Sequence, residues 1–371
     1  MRHLFSLCLM FLVACTPRGE MTLVSPQESV GTPETVFVAT TRAVDPKTGN
    51  FGTKRSEVTT YARYTVSIPP DRDTGTITWP RRGSKPDPQH DFLTTSETLY
   101  SGEAAFRRDV TATMGRDRRT PREATIFVHG FNTTFSEGLY RIAQLSKDLE
   151  LPGASIHYSW PSAAIPFGYA YDRDSAIFAR SGLESLIREV SGSGADQVFL
   201  VAHSMGCALV VEALHQLAIR GDRKTLSRIG GVILISPDID VDVFHVQARE
   251  IGKLPQPFLI FGSQRDKALR LSARLTGQKS RLGSMANIGA VADLDVTFLD
   301  VAAFNVGDGH FNVGDSASLI NILGRINEVG AAFEADRASQ LGLLPGAVLT
   351  VQNATEIILS PVIAVGQRLE Q

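Results

Sequence analysis

The apolar residues of this chain fall into short runs that alternate with longer amphipathic stretches. The short runs are rich in Val, Ile and Phe, as β-strands are, and they cover residues 35–41, 61–68, 124–129, 154–160, 197–203, 231–236, 257–262 and 295–301. Apolar positions with helical spacing lie between the later runs, over residues 135–149, 175–190, 207–220 and 315–332. Near-continuous apolar strands alternating with helices are typical of a parallel sheet covered on both faces. The pattern therefore predicts an α/β fold with a doubly wound, mostly parallel central sheet.

Other segments lack this alternation. Residues 83–122 are polar and charged, which favours a solvated loop. Residues 16–34 mix Pro, Gly, Ser and charges without periodicity and predict a flexible tether. After residue 334, Leu, Val and Ile are interrupted by Gly, Pro, Asn and Glu, so this extension packs on the core or contacts a membrane, and the sequence leaves both open.

The N-terminus has the pattern of an export signal. A basic start, Met1-Arg2-His3, precedes an apolar run over residues 4–14 that is too short to span a bilayer stably. The run ends in Leu12-Val13-Ala14-Cys15, which resembles the bacterial lipoprotein box. That resemblance implies cleavage before Cys15 and acylation of its thiol. A plain secretory signal that happens to end in cysteine is the alternative.

These features divide the chain into a signal peptide (1–14), a lipidated Cys15 with a tether (15–34), an α/β domain (35–333) and a C-terminal extension (334–371). Acyl chains on Cys15 would anchor the protein to a membrane. In two-membrane bacteria, the lipoproteins that are retained at the inner membrane carry an aspartate directly after the acylated cysteine. This chain has Thr16 at that position, so the retention signal is missing. We therefore expect the protein to be anchored at the periplasmic face of the outer membrane.

Composition narrows the class of function. The 371 residues are 43% hydrophobic and 20% charged with a net charge of −2, which is ordinary for a globular enzyme and argues against a nucleic-acid partner. Of the three cysteines, Cys8 leaves with the signal, Cys15 is acylated and Cys207 lies on an apolar helix, so no disulfide framework is expected. Without an HExxH, paired CxxC or Walker A motif, the sequence predicts neither a metal nor a cofactor.

Residues 197–214 run from an apolar strand straight into a helix, with Ser204 at the junction. Such a sharp turn strains the junction residue and needs small neighbours two positions before and after it, here Ala202 and Gly206. The N–H of Met205, at the helix N-terminus, would stabilise an oxyanion. Ser204 is therefore our candidate nucleophile, and the alternative is a serine that merely caps the helix.

A serine nucleophile needs a base and a carboxylate that orients the base. In α/β-hydrolases both follow the serine, on loops after later strands. His310 lies in the Gly-rich VGDGHFN, after the last predicted strand, and is the candidate base. Asp266, just past the strand at 257–262, is the candidate acid, and Asp238, after the preceding strand, is the alternative.

The second oxyanion donor is expected on the loop after an early central strand. In ATIFVHGFNTTF, Gly130 allows close approach of the backbone and the N–H of Phe131 follows it. An ordinary strand-to-helix turn capped by Asn132 or Thr133 is the other interpretation.

Several motifs together resemble a bacterial α/β-hydrolase family of poorly defined function that is esterase- or lipase-like: FVATTR, VSIPPDRDTGTI, HGFN, HYSWPS, AHSMG, SPDID, SQRDKALRLS and GDGH. The resemblance covers about residues 35–330. It implies the α/β-hydrolase fold and cofactor-free hydrolysis of carboxylic esters by Ser204, Asp266 and His310.

We therefore expect a membrane-tethered serine hydrolase acting on a lipid or small-molecule ester. An acyltransferase would use the same triad, and a non-catalytic envelope lipoprotein on a hydrolase scaffold is a further alternative. Trp160, Tyr169 and Tyr171 either shape an acyl pocket or pack on the sheet.

Overall fold

The computed structural model describes residues 18–115, 121–277, 280–284 and 288–302, together with Ala317, Ile320 and the strands within 346–351 and 354–359. The strands in this part of the chain are β1 (Thr32–Val44), β2 (Phe51–Ile68), β3 (Leu93–Leu99), β4 (Glu123–Val128), β5 (Ala154–Ser159), β6 (Gln197–His203), β7 (Ile229–Ile235), β8 (Phe258–Gly262), β9 (Thr297–Asp300), β10 (Gly346–Val351) and β11 (Ala354–Leu359). Its α-helices are α1 (Glu103–Met114), α2 (Phe135–Asp148), α3 (Tyr169–Gly192), α4 (Met205–Ile219), α5 (Arg223–Leu226), α6 (Val241–Ile251) and α7 (Lys267–Leu275).

All of these strands belong to one sheet, in the order β10-β11-β9-β8-β7-β6-β4-β5-β1-β2-β3. From β1 to β9 across the centre, each neighbouring pair is parallel, and β11 is parallel to β9. Antiparallel pairs occur at the two edges, between β1 and β2, β2 and β3, and β10 and β11. The predicted mostly parallel sheet is confirmed. Parallel strands all end on the same side of the sheet, which we call its carboxyl edge. The residues that follow β4, β6, β7 and β8 therefore meet at this carboxyl edge.

Helices cover both faces, as the doubly wound pattern predicts. On one face α2 packs through Phe135, Leu139 and Ile142 against strand residues that include Val36 and Phe127. The other face is covered by α1, α3, α4 and α6, whose buried side chains join the larger core cluster. Within the described residues, no helix combines the length and apolarity needed to cross a membrane.

The segment 83–122, expected to be a solvated loop, instead contains β3 and α1. Strand β3 reads LTTSETL and lies at the edge of the sheet, where polar side chains face water. Helix α1 buries Phe106, Val110 and Met114, which are spaced four residues apart on one face. This spacing was visible in the sequence, but the many charges around it masked the pattern. Of the helix predicted over 315–332, the structure describes Ala317 and Ile320, both helical.

The described part of the predicted tether, residues 18–31, lies on the domain. The backbone around Leu23 bridges to Thr94: the N–H of Val24 donates to the Thr94 carbonyl at 2.9 Å, and the N–H of Thr94 donates to the Thr22 carbonyl at 2.9 Å. Strand β1 then begins at Thr32. Residues 18–31 are therefore bound to the domain and do not form a free tether.

His157 on β5 is a buried histidine in the core between the sheet and α2. It is fully buried, and a Cβ at Gly138 of α2 would lie 2.4 Å from its Nε2 atom. Neither ring nitrogen has a hydrogen-bond partner among the described residues. Burial, then the nearby His129 and Arg42, lower its pKa well below the ordinary value, so the ring is neutral.

We expect His157→Leu to make the protein less sensitive to acid. The unfolded chain binds a proton at this histidine below about pH 6.5, whereas the folded state does not, so stability is lost as the pH falls. The variant should recover about 2 kcal/mol of the stability that the wild type loses between pH 7 and pH 5. Urea unfolding at both pH values measures this, and an unchanged difference between them would contradict it.

Candidate active site

The turn between β6 and α4 places Ser204 in a backbone conformation that L-residues rarely adopt, with φ 51° and ψ −120°. Neighbouring segments hold it there. The Ser204 N–H donates to the carbonyl of Ile235 at 2.9 Å, and the Ser204 carbonyl accepts from the N–H of Asp238 at 3.2 Å. The side chain makes no capping hydrogen bond to α4, which argues against a purely capping role.

The residues two positions from Ser204 on either side are small for different reasons. A Cβ at Gly206 would lie 2.3 Å from the carbonyl oxygen of His129, so this position admits no side chain. Ala202 is fully buried under the turn, and its methyl group is accommodated. Glycine is therefore required after the serine and not before it.

Residues 129–134 connect β4 to α2 and are named here the HGFN loop. A Cβ at Gly130 would lie 3.0 Å from the Cβ of Ser204 and 2.7 Å from the Nδ1 atom of His203. The loop therefore passes directly beside the turn. This approach brings together the two segments that contain Phe131 and Met205, whose N–H groups the sequence predicts as oxyanion donors. The Phe131 ring packs edge-to-face on Tyr169 at a centroid distance of 5.6 Å.

Arg42, at the end of β1, is a fully buried cation beneath the HGFN loop. Its guanidinium donates to the carbonyls of Thr133 at 2.8 Å, Ser162 at 3.2 Å and Gly52 at 3.0 Å, and Nε donates to the Ser159 hydroxyl at 2.9 Å. Burial lowers the pKa of Arg42 to about 9, which leaves it charged at neutral pH. One guanidinium thus ties the HGFN loop to the segment after β5.

Asp172, in the first turn of α3, is the buried anion that holds the same two segments. Its carboxylate accepts from the N–H of Asn132 at 3.1 Å, the hydroxyl of Ser162 at 2.6 Å and the N–H of Ala163 at 2.6 Å. It also contributes a favourable electrostatic interaction to Arg42. Sequence reasoning missed both charges, although Arg42 was part of the FVATTR motif.

His129 and Trp160 pack under the HGFN loop. Their rings stack at a centroid distance of 4.7 Å, and the Trp160 Nε1–H donates to the His129 carbonyl at 2.8 Å. Burial, followed by the charge of Arg42, lowers the pKa of His129 to about 3, so this ring is neutral. Trp160 is completely buried, which favours packing over the alternative of an acyl pocket.

Asp266 follows β8 and is completely buried. Its backbone is extended, and its Oδ1 accepts the N–H of Leu269 at 2.9 Å, so it caps α7. The carboxylate therefore sits at the strand edge that also presents Ser204. His310 lies outside the described residues, as does Cys15.

Asp238 follows β7 and is also buried, with both carboxylate oxygens engaged. Oδ1 accepts from the Ser272 hydroxyl at 2.6 Å and pairs with Nε of Arg281 at 3.0 Å. Oδ2 accepts from the Tyr169 hydroxyl at 2.8 Å. Tyr169 thereby joins α3 to the Asp238–Arg281 pair, and burial raises its pKa to about 12.

A cavity of about 530 Å³ opens beside the turn. Its lining residues include His129, Gly130, Trp79 and Arg141. A second cavity of about 560 Å³ adjoins it, and Arg18 and Trp79 line both cavities. The first cavity is large enough for a small organic ligand, and its lining reaches Gly130 and His203, which flank Ser204.

The described residues offer two other chemistries little support. Cys207 is completely buried, and burial raises its pKa well above the ordinary value, so it remains a thiol and is a poor nucleophile. In the part of the chain that the structure describes, no group of three or more His, Cys, Asp or Glu side chains is arranged to hold a metal ion.

We expect Asp172→Asn to destabilise the protein by about 2 kcal/mol, because the amide cannot replace every acceptor and leaves buried donors unpaired. Denaturant unfolding monitored by circular dichroism measures the change. Asp174→Asn, an exposed position on the same helix, is the matched control and should leave stability unchanged. Equal stability of the two variants would contradict the role given to Asp172.

Solved structures with similar architecture share little sequence with this chain. Esterase B from Lactobacillus rhamnosis, in an inhibited form, is 17% identical, with a TM-score of 0.35, over 61% of this chain and 82% of that one. Esterase 2 from Thermogutta terrifontis, phosphorylated by paraoxon, is 12% identical, with a TM-score of 0.37, over 76% and 90%. A putative hydrolase of the α/β superfamily from Xanthomonas campestris is 16% identical, with a TM-score of 0.32, over 56% and 99%.

No curated protein matches the chain. A family model described as "Alpha/beta hydrolase of unknown function (DUF900)" matches residues 103–327, more than half of the chain. The match begins at α1, and it extends past β9. The mostly parallel sheet, the helices on both faces and this match agree, and the chain belongs to this α/β-hydrolase family.

Proposed function

We propose that this protein is a serine hydrolase that cleaves carboxylic esters through an acyl-enzyme on Ser204. The observation that carries the proposal is the backbone of Ser204, strained at φ 51° and flanked within 3.0 Å by the position of a Gly130 Cβ. Strain of this kind persists where surrounding structure enforces it, and it clusters at active sites. The close approach of the HGFN loop to Ser204 supports the N–H groups of Phe131 and Met205 as the two oxyanion donors.

The reaction then follows from the roles of the individual groups. His310 takes the proton of the Ser204 hydroxyl as Oγ attacks the ester carbonyl, and the N–H groups of Phe131 and Met205 stabilise the oxyanion. His310 returns the proton to the departing alcohol. Water next attacks the acyl-enzyme with His310 as base, which releases the acid and restores Ser204. Asp266 orients the imidazole and stabilises its charged form.

We assign the acid to Asp266 in preference to Asp238. The Asp238 carboxylate already neutralises the buried Arg281 and accepts from Ser272 and Tyr169. A carboxylate whose charge is already neutralised by an arginine, and whose oxygens already accept hydrogen bonds, stabilises a nearby imidazolium only weakly. Asp266 lies at the same edge of the sheet, one strand further from Ser204.

The protein is further proposed to be tethered to a membrane through acylated Cys15, on the periplasmic face of the outer membrane. The support is the sequence Leu12-Val13-Ala14-Cys15, together with the threonine at position 16. Several acyl chains make such an anchor essentially permanent. The ester substrate is then a lipid or a small molecule of the envelope.

A fluorophosphonate probe should label the wild-type protein and fail to label Ser204→Ala, because the probe phosphonylates an activated serine. Hydrolysis of an ester panel of increasing acyl length should fall by at least about 10³-fold in the same variant. Ser227→Ala, a change at an exposed serine, is the control and should keep full labelling. Equal labelling of wild type and Ser204→Ala would sink the proposal.

Substituting the two carboxylates should have opposite effects on kcat and on stability. Asp266→Asn keeps an acceptor for the Leu269 N–H but loses the charge, so kcat should fall on the order of 10⁴-fold with little loss of stability. Asp238→Asn leaves Arg281 buried without its counter-ion, so stability should fall by about 3 kcal/mol, whereas kcat per folded enzyme changes little.

Thermal unfolding and kcat normalised to labelled Ser204 separate these effects. The assignment fails if Asp238→Asn shows the larger loss of kcat per labelled site. Similar small losses in both variants would reject both carboxylates as the acid.

A further inference from the structure

The segment after β5 carries two exposed apolar side chains on a tight turn. Ile165 is 53% exposed and Phe167 is 97% exposed, and the N–H of Gly168 closes the turn onto the Ile165 carbonyl at 3.0 Å. Phenylalanine normally contributes its large apolar area to a core or an interface. A fully exposed Phe167 on the loop next to the HGFN loop indicates a surface that meets a nonpolar partner.

The turn is held from below, so its exposed position is fixed. Ser162 and Ala163, at its base, bind the buried Asp172 through the hydroxyl and the N–H respectively. The carbonyl of Ser162 also accepts from Arg42. Ile165 and Phe167 therefore project from a base that two buried charges anchor.

The N-terminal segment reaches the same place. The Arg18 guanidinium donates to the carbonyl of Ala164, the residue before Ile165, and pairs with Glu137 at 2.8 Å. Arg18 comes three positions after Cys15. At about 3.5 Å per residue, an acyl anchor on Cys15 would lie within about 10 Å of the Arg18 backbone.

Two more basic side chains lie in the same cavity lining as Arg18. Arg81 and Arg82 are exposed and line the 560 Å³ cavity together with Arg18, with Glu20 as the acidic member of the lining. Arginines beside exposed apolar residues match the interface of an anionic bilayer, where charges meet headgroups and rings enter the acyl region.

We propose that Ile165, Phe167, Arg18, Arg81 and Arg82, the docking surface, lie against an anionic phospholipid membrane, with Phe167 inserted among the acyl chains. The choice of this occupant rests on the proposed acylation of Cys15, which brings lipid to within reach of Arg18. Because the segment after β5 leaves the sheet at the same edge as Ser204, docking turns this edge toward the bilayer. Esters dissolved in the membrane then reach Ser204 without crossing bulk water.

The test uses the mature chain from residue 15 with Cys15→Ser, so that no acyl chain contributes to binding. Sedimentation with vesicles of phosphatidylethanolamine and phosphatidylglycerol measures partitioning, and vesicles of phosphatidylcholine alone measure its dependence on charge. We expect binding to the anionic vesicles, weakened about tenfold by Ile165→Ser and by Phe167→Ser. Removing Arg81 or Arg82 should weaken binding about fivefold per charge.

Matched controls lie at the opposite end of the domain. Ile219, 63% exposed, ends α4, a helix of 15 residues that runs about 22 Å away from Ser204. Ile219→Ser and Lys224→Ala should leave vesicle binding unchanged. Phe167→Trp should show a blue shift of tryptophan emission when vesicles are added, beyond any change in the parent chain, whose Trp79 and Trp160 supply the background.

No binding by the Cys15→Ser chain, or equal loss in the Ile165→Ser and Ile219→Ser variants, overturns the docking surface. Two measurements keep this outcome distinct from failure of the proposed function. Hydrolysis of a soluble short-chain ester by the same chain reports on Ser204 and should be unaffected by Phe167→Ser. Membrane fractionation of cells that produce the wild type or the Cys15→Ser full chain reports on acylation.

Discussion

The arrangement around Ser204 depends on one buried charge, the guanidinium of Arg42. A cation taken out of water is tolerated only when its donors are satisfied, and here carbonyls from three separate segments satisfy them. Two of these segments, the HGFN loop and the segment after β5, are irregular backbone, and the third carbonyl, that of Gly52, lies at the start of β2. The carboxylate of Asp172 complements Arg42, because it accepts hydrogen bonds from N–H groups of the HGFN loop and of the segment after β5. The pair thus replaces the hydrogen bonds that a sheet or helix would supply, and it fixes the HGFN loop at the distance where only Gly130 fits beside Ser204.

The two glycines near Ser204 have a common cause. Gly206 lies against the carbonyl of His129, and Gly130 lies against Ser204. The turn and the HGFN loop are therefore interlocked, with each approaching the other at a point that has no side chain. This explains why Ala202 is acceptable where a glycine is commoner: it faces the core and not the loop. This interlock and the hydrogen bonds to Ile235 and Asp238 hold Ser204 in its strained backbone conformation.

Apolar periodicity was sufficient to predict the central strands, because most of their residues are buried and the apolar signal is local. It failed for β3, an edge strand with polar side chains, and for α1, whose buried stripe of Phe106, Val110 and Met114 is diluted by charge. The turn at Ser204 was predictable because its geometry is encoded within five residues. Arg42 was not, since its contact with Thr133 joins residues 91 positions apart and exists only in the folded chain. His310 and Cys15 lie outside the described residues, and their roles remain sequence-based proposals.

The contact between Gly138 and His157 constrains how this protein can vary. The two residues compete for the same volume, because a single added carbon at position 138 would lie 2.4 Å from the imidazole. A larger residue on the helix therefore requires a smaller one on the strand, and enlarging position 138 is not tolerated before position 157 has shrunk unless the core repacks. Variation at these two sites is epistatic, and the order in which substitutions accumulate is restricted to paths that shrink position 157 first.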